Sequence, residues 1–224
     1  MKKLLLASVG VLALGVASAS AADIARRRAP PPPAPVVTPV YNWTGFYVGI
    51  NGGGGFGRSS LSNTRGTTAF NVDGGLVGGT LGYNYQINRL VLGLEGDIDW
   101  ADINGNTSNG ICTGITCSTK NDWLATVRGR VGYAFDRFMP YVTGGAAFGD
   151  VKTSMTGFSG QTNTQTGWTA GGGLEFAING PWTAKVEYLY VDLGGDTCPA
   201  ANCGLSTNTN FHTNLVRAGL NYRF

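Results

Sequence analysis

Leu215-Val216-Arg217-Ala218-Gly219-Leu220-Asn221-Tyr222-Arg223-Phe224 decides how this chain folds. Val216, Ala218, Leu220, Tyr222 and Phe224 share one phase of a period-two pattern, while Arg217, Gly219, Asn221 and Arg223 share the other. Successive side chains of a β-strand point to opposite faces, so the stretch reads as a strand with one greasy and one polar face. It closes on a large aromatic. A strand whose outer face meets lipid can present one there; a strand facing water has little reason to.

Working outward, the same alternation predicts eight strands, at about 43–52, 75–87, 90–101, 122–135, 138–149, 166–178, 181–192 and 211–224. Three connections are tight, at Asn88-Arg89, Asp136-Arg137 and Asn179-Gly180, the last being a strong hairpin signal. The other four run to roughly 15–20 residues rich in Gly, Ser, Thr and Asn. Short and long connections alternate strictly, so one rim carries turns and the other loops. The predicted fold is all-β: an eight-stranded antiparallel up-and-down transmembrane β-barrel with short periplasmic turns and long extracellular loops.

Composition fits a barrel better than a helical membrane protein. Glycine accounts for 36 of 224 residues and charged residues for only 13%, about half the usual share of charge. No segment offers the ~20 uninterrupted apolar residues of a transmembrane helix. In lipid a closed barrel is then the remaining architecture, because open strand edges would find no hydrogen-bond partners. Residues 1–22 read as a signal peptide, with Lys2-Lys3, an apolar run from Leu4 and small residues for cleavage at Ala21 or Ala22. Residues 23–40 carry Arg26-Arg27-Arg28 and six prolines, an extended periplasmic linker, and 41–224 form the barrel. Without Lys2 and Lys3 the chain has 14 basic and 13 acidic residues, so nothing marks a nucleic-acid binder.

Charged residues discriminate a membrane barrel from a soluble one. Leu90, Leu92, Leu94, Ile98 and Trp100 oppose Glu95, Asp97 and Asp99; Val127 and Val131 oppose Arg128 and Arg130. Leu174 and Phe176 oppose Glu175, Val186 and Tyr188 oppose Lys185 and Glu187, and the last strand sets Arg217 and Arg223 against Phe224. The fifth strand is ambiguous, since Tyr141 and Val142 each fit either face. Aromatics bound the apolar face at both ends: Trp100, Trp123, Trp168 and Tyr190 toward the loops, Phe135, Trp182, Tyr222 and Phe224 toward the turns. Such girdles belong to a lipid-facing surface. Eight rows of bulky apolar side chains would also overfill so narrow a lumen. The ionic residues therefore point inward.

Unpaired buried charge costs several kcal/mol, so these residues are expected to form a salt-bridge network that plugs the lumen. Glu95, Asp97 and Asp99 should face Arg128 and Arg130; Arg217 and Arg223 should face Lys185 and Glu187, with Glu175 completing the set. The cysteines pair as Cys112/Cys117 and Cys198/Cys203 if each bond is local, one of three connectivities. Their spacing is not that of a metal site, since no histidine lies near them. His212, the single histidine, falls on the lipid-facing phase and has no serine beside it for acyl-ester hydrolysis. Neither a catalytic site nor a cofactor is expected.

Asn42-Trp43-Thr44-Gly45-Phe46-Tyr47-Val48-Gly49, Gly93-Leu94-Glu95-Gly96-Asp97 and Pro140-Tyr141-Val142-Thr143-Gly144-Gly145 resemble the small outer-membrane barrels of alphaproteobacteria, often labelled porin family. The resemblance implies an architecture related to the OmpA transmembrane domain and the opacity proteins, in the outer membrane of a Gram-negative bacterium. It also implies that Gly219, Tyr222 and Phe224 serve as an assembly signal for the barrel-insertion machinery. The expected role is structural, contributing to envelope integrity and surface contacts within outer-membrane lipid and lipopolysaccharide. Two alternatives stand beside it: a narrow-pore porin for ions or very small solutes, and an adhesin or haemin-binding receptor contacting host or surface ligands through its loops.

Overall fold

The computed structural model describes residues 41–157, 161–200 and 206–224. Eight antiparallel strands close a barrel in chain order. They are β1 (Gly45–Asn63), β2 (Gly66–Ile87), β3 (Leu90–Thr107), β4 (Cys117–Tyr133), β5 (Phe138–Met155), β6 (Gln161–Asn179), β7 (Trp182–Cys198) and β8 (Thr207–Arg223). Closure runs through β1 and β8, from Tyr47 opposite Arg223 to Ser62 opposite Asn208. The predicted signal peptide, its cleavage site at Ala21 or Ala22 and the linker lie outside the described residues.

At one rim the turns are tight and chemically explicit. Asn88 and Asp136 take the left-handed conformation with φ of 56° each, which Asn and Asp tolerate through their short polar side chains. The third turn sits one residue later than predicted: Asn179 still pairs with Trp182, leaving Gly180-Pro181 as the loop. Gly180 supplies the positive φ, and Pro181, which has no N–H for a ladder, falls outside the sheet.

At the other rim the strands are far longer than the sequence pattern predicted. β1 continues to Asn63 and β2 starts at Gly66, so residues read as the first loop are mostly barrel wall. Outward Ser60, Ser62, Asn71, Asn104 and Asn210 alternate there with inward residues, and small or polar side chains on both phases conceal the period.

The reason for that concealment is a reversal of polarity inside one continuous sheet. In the turn-side half, Leu94, Ile98 and Trp100 of β3 are exposed and Glu95, Asp97 and Asp99 are buried. Farther up the same strand, with the same pleat, Ala101 and Ile103 are buried while Asp102 and Asn104 face out. β8 does likewise: Arg217 and Asn221 point in below, Phe211 and Leu215 above. The upper lumen is thus packed by Leu61, Phe70, Val72, Ile103, Leu193 and Phe211 among others, as in a water-soluble barrel. Outward apolar residues of β3 run from Leu90 to Trp100; ten steps of about 3.3 Å inclined by about 40° give roughly 25 Å, the height of a membrane barrel's apolar band.

β-Bulges accompany the changeover, between Trp100 and Ile103, Lys120 and Leu124, and Asp192 and Gly195. Asp150 caps the second: its Oδ1 accepts the backbone N–H of Asp122 at 2.9 Å and of Trp123 at 3.0 Å. Outside it, Lys120 bridges Asp102 at 3.4 Å and Asp122 at 3.1 Å, and Lys152 also pairs with Asp122. Hydrogen bonds from Lys152 and Lys120 hold the Asp122 carboxyl below its ordinary pKa.

Cys112 and Cys117 are disulfide-bonded, and the turn between β3 and β4 tucks Ile111 and Ile115 against the upper core. Cys198 is disulfide-bonded too; Cys203, its expected partner, lies outside the described residues.

If the upper half is a packed interior, Phe211→Ala should cost about 3–5 kcal/mol, whereas Ile50→Ala on the lipid face should cost far less. Urea unfolding in lipid vesicles, followed by tryptophan fluorescence, measures both.

Candidate functional site

The turn-side half of the lumen gathers charge from β3, β4, β6, β7 and β8, whose polar phase points inward there. Glu95 is the hub. Its Oε1 accepts Arg128 Nη2 at 2.5 Å; its Oε2 accepts the Tyr47 hydroxyl at 2.7 Å, Lys185 Nζ at 3.0 Å and Arg130 Nη1 at 3.4 Å. Arg128 also reaches Asp97 and Glu187, each at 2.7 Å. Arg217 binds Glu187 through Nε at 2.9 Å and, through Nη1, Asp97 at 2.8 Å and Asp99 at 2.5 Å. Arg130 Nη2 reaches Glu175 Oε2 at 2.5 Å. Every side chain in these pairs is at most 3% exposed.

Neutral groups complete the cage. Thr126 donates to Asp97 at 2.8 Å, and Thr183 and Asn221 donate to Glu175 at 2.6 and 3.1 Å. The Tyr141 hydroxyl donates to Glu187 at 3.2 Å, and the guanidinium of Arg130 lies 4.0 Å from the centre of the Tyr141 ring. Such bulk needs space beside it on the neighbouring strand, and glycine provides it: a Cβ at Gly82 would drive into the Tyr47 ring, and one at Gly78 into the Asp99 carboxylate.

Three placements differ from the sequence reading. Arg223 stands apart from the network, at the turn-side mouth, with its guanidinium 4.5 Å from the centre of the Tyr41 ring. It sits too near the end of β8 to reach the ionic layer, whose carboxylates are matched to Arg217 instead. Asp99 pairs with Arg217 and not with Arg128 or Arg130, because it lies two pleats above the level of Arg128 and three above that of Arg130. Tyr47 and Tyr141 were not among the predicted network residues, although Tyr47 falls on the phase opposite Phe46 and Val48. That parity was the available signal, and Tyr141 resolves the ambiguous fifth strand by pointing inward while Val142 faces out.

Below the charges a second apolar cluster lies at the mouth. Trp43 is 1% exposed and packs with Val91, Ala134, Met139 and Ala177. Its indole N–H donates to the Asp136 carbonyl at 3.0 Å, and its backbone N–H to Gln86 at 2.7 Å. Tyr41 lies edge-on to it, with ring centres 4.8 Å apart. The lumen therefore holds three layers: apolar, ionic, apolar. Outside, Trp168 and Tyr190 form part of the upper girdle, with ring centres 5.3 Å apart. Trp182, Tyr222 and Phe224 form part of the lower girdle, at 5.2 and 5.3 Å, with Gly219 three residues before Tyr222 on the inward phase.

A lipid-facing exterior, aromatic girdles and a filled ionic lumen define an integral barrel of the membrane. Residues 9–224 match the family model described as outer membrane protein beta-barrel domain, and the chain belongs to that family. It is 40% identical over 250 residues to the 31 kDa outer-membrane immunogenic protein of Brucella melitensis biotype 1, covering 100% of both chains. It is 32% identical over 188 residues to the 22 kDa outer membrane protein of Rhizobium leguminosarum bv. viciae, covering 84% of this chain and 81% of that one. Among solved structures, Neisserial surface protein A aligns with a TM-score of 0.47 at 18% identity, covering 81% of this chain and 98% of that one. The protein is an outer-membrane barrel of a Gram-negative bacterium.

Arg128 touches three carboxylates, so Arg128→Met should destabilise the barrel by about 3–5 kcal/mol. Arg223→Ala, which removes a single contact with a ring, should cost about 1 kcal/mol or less. Equal losses in vesicle unfolding would contradict the separation of Arg223 from the network.

Proposed function

We propose that the protein is a sealed, non-catalytic structural barrel that contributes to envelope integrity and offers its upper rim for surface contacts. The carrying observation is the ionic layer sandwiched between two apolar plugs. An ion crossing the lumen would have to shed its water in the Phe211 layer and again at Trp43. Transfer of a bare ion into such a medium costs tens of kcal/mol by Born solvation. Between those plugs it would compete with guanidinium and carboxylate groups already within 2.5–3.4 Å of each other. This favours a plug over an ion conduit.

Exposure of the upper rim at the cell surface is supported by the wall of hydroxyl and amide side chains above the girdle. The word immunogenic in the name of the Brucella relative points the same way. The assembly role of Gly219, Tyr222 and Phe224 belongs to this proposal as well: a short signature at the closing strand lets insertion machinery engage the chain before the barrel shuts.

Planar-bilayer recording of the purified barrel should give no single-channel steps between pH 5 and 8. Reproducible steps from wild type would overturn the sealed reading and install a narrow pore in its place. For the assembly signal, Phe224→Ala should slow insertion and leave chain in the periplasm, with unfolding free energy in vesicles changed by about 1 kcal/mol or less. Insertion at the wild-type rate would remove that assignment.

A further inference from the structure

We propose that the outer wall where β7, β8, β1 and β2 run side by side seats one phosphorylated glycolipid of the outer leaflet, its sugar-phosphate head in a polar hollow and an acyl chain in a trough beneath. The strand register builds the hollow directly. Arg58 stands opposite His212 of β8 and Asn71 of β2, all three on the outward phase. One pleat lower, Phe56 stands between Asn214 and Asp73. These six residues bound a hollow of about 480 Å³.

The charges in it are available. Neither Arg58 nor Asp73 forms an ion pair among the described residues, although both lie beside Phe56. On the opposite wall, Lys120 and Lys152 are neutralised by Asp102 and Asp122. A guanidinium matches the planar spread of phosphate oxygens, while Asp73 and Asn71 suit sugar hydroxyls. The near edge of the hollow is fixed: Asn214 accepts the Tyr188 hydroxyl at 2.6 Å and donates to the Phe56 carbonyl at 3.2 Å. His212 stacks on Tyr190 with ring centres 6.3 Å apart.

Directly below, small residues thin the wall. Gly54 lies between Val216 and Gly75, Gly52 between Ala218 and Val77, and Ile50 between Leu220 and Gly79. Ile50, Val77, Ala184, Val186, Ala218 and Leu220 bound a second hollow of about 450 Å³, this one apolar and open to the acyl region. Gly52 lies six residues from Arg58, about 15 Å along the membrane normal, which is the depth of one leaflet of a ~30 Å core and so within the reach of an acyl chain. One amphipathic molecule spans both hollows, and the polar one continues an established lipid-facing surface.

This inference rests on placement in the outer leaflet and not on a sealed lumen, so channel recordings leave it untouched. Native mass spectrometry of the detergent-purified full barrel should be run with bisphosphorylated lipid A, dephosphorylated lipid A and phosphatidylglycerol. Wild type should retain one bisphosphorylated lipid A. The double variant Arg58→Ala/His212→Ala and the dephosphorylated ligand should each lose about tenfold or more in affinity, as expected for a charge-assisted phosphate contact. Gly52→Leu should weaken retention by filling the trough; a Cβ there approaches its nearest neighbour no closer than 3.6 Å, so the fold accommodates it. Heat-modifiable gel mobility verifies folding of each variant. Lys120→Ala/Lys152→Ala, on the opposite wall, should retain the lipid as wild type does. Equal retention of phosphatidylglycerol, undiminished retention by the Arg58/His212 variant, or an equal loss from the Lys120/Lys152 variant would overturn the site.

Discussion

The width of an eight-stranded barrel governs this molecule, because its interior holds side chains and little else. Whatever points inward must fill the space completely and satisfy itself. The chain answers that demand with different chemistry at different heights, although Asp99 Oδ1, Arg130 Nε and Arg217 Nη2 are left without a hydrogen-bond partner. Below the upper girdle the fill is ionic, and Glu95 with its four donors from Arg128, Arg130, Lys185 and Tyr47 is the node from which the cage extends. Above it the fill is aliphatic and aromatic. Glycines on the inner wall are the complement of the ionic layer: Tyr47 and Asp99 occupy the room that side chains at Gly82 and Gly78 would need. Part of the high glycine content is thus a packing requirement of large polar groups in a narrow tube.

A buried ion-pair cage is weak as a source of net stability, since desolvation consumes much of what Coulomb attraction returns. Its stronger effect is on register. A slip of one residue along any ladder would send Arg128 or Glu95 into hydrocarbon and bring Val127 or Leu94 into the charge layer. Every wrong pairing is penalised on both faces at once. The hydrophobic layers provide less discrimination, because Leu and Ile are interchangeable within a core to about 1.5 kcal/mol when volume is conserved.

How much of this the sequence discloses follows from the same physics. Strand number, chain order, the inward phase of Glu95 through Asp99 and the Cys112–Cys117 bond were legible, because alternation is sharp wherever one face meets lipid. Legibility fails above Trp100. There the outer face is Ser, Thr, Asn and Gly, the inner face mixes Thr207 and Thr209 with Phe211, and bulges at Lys120–Leu124 and Asp192–Gly195 break the parity. Strand therefore looked like loop. Arg223 shows the other limit: phase assigns a residue to a face but not to a height. Height depends on strand tilt, and it separates Arg223 at the mouth from Arg217 in the cage.

The polarity reversal also fixes how deep the barrel sits. Lowering it into the membrane would carry Arg58, Lys120 and Lys152 toward the acyl region, at about 2–4 kcal/mol for each cation brought to the midplane. Raising it would lift Leu94, Ile98 and the Trp100 girdle into water while drawing the turns at Asn88 and Asp136 into lipid. Both displacements act on all eight strands together, since the ladder is closed and no strand moves alone. A change of inner chemistry at the same height is then a consequence and not a coincidence. Where the outer face must be wet, the inner face supplies the dry core; where the outer face is greasy, cohesion has to come from charge.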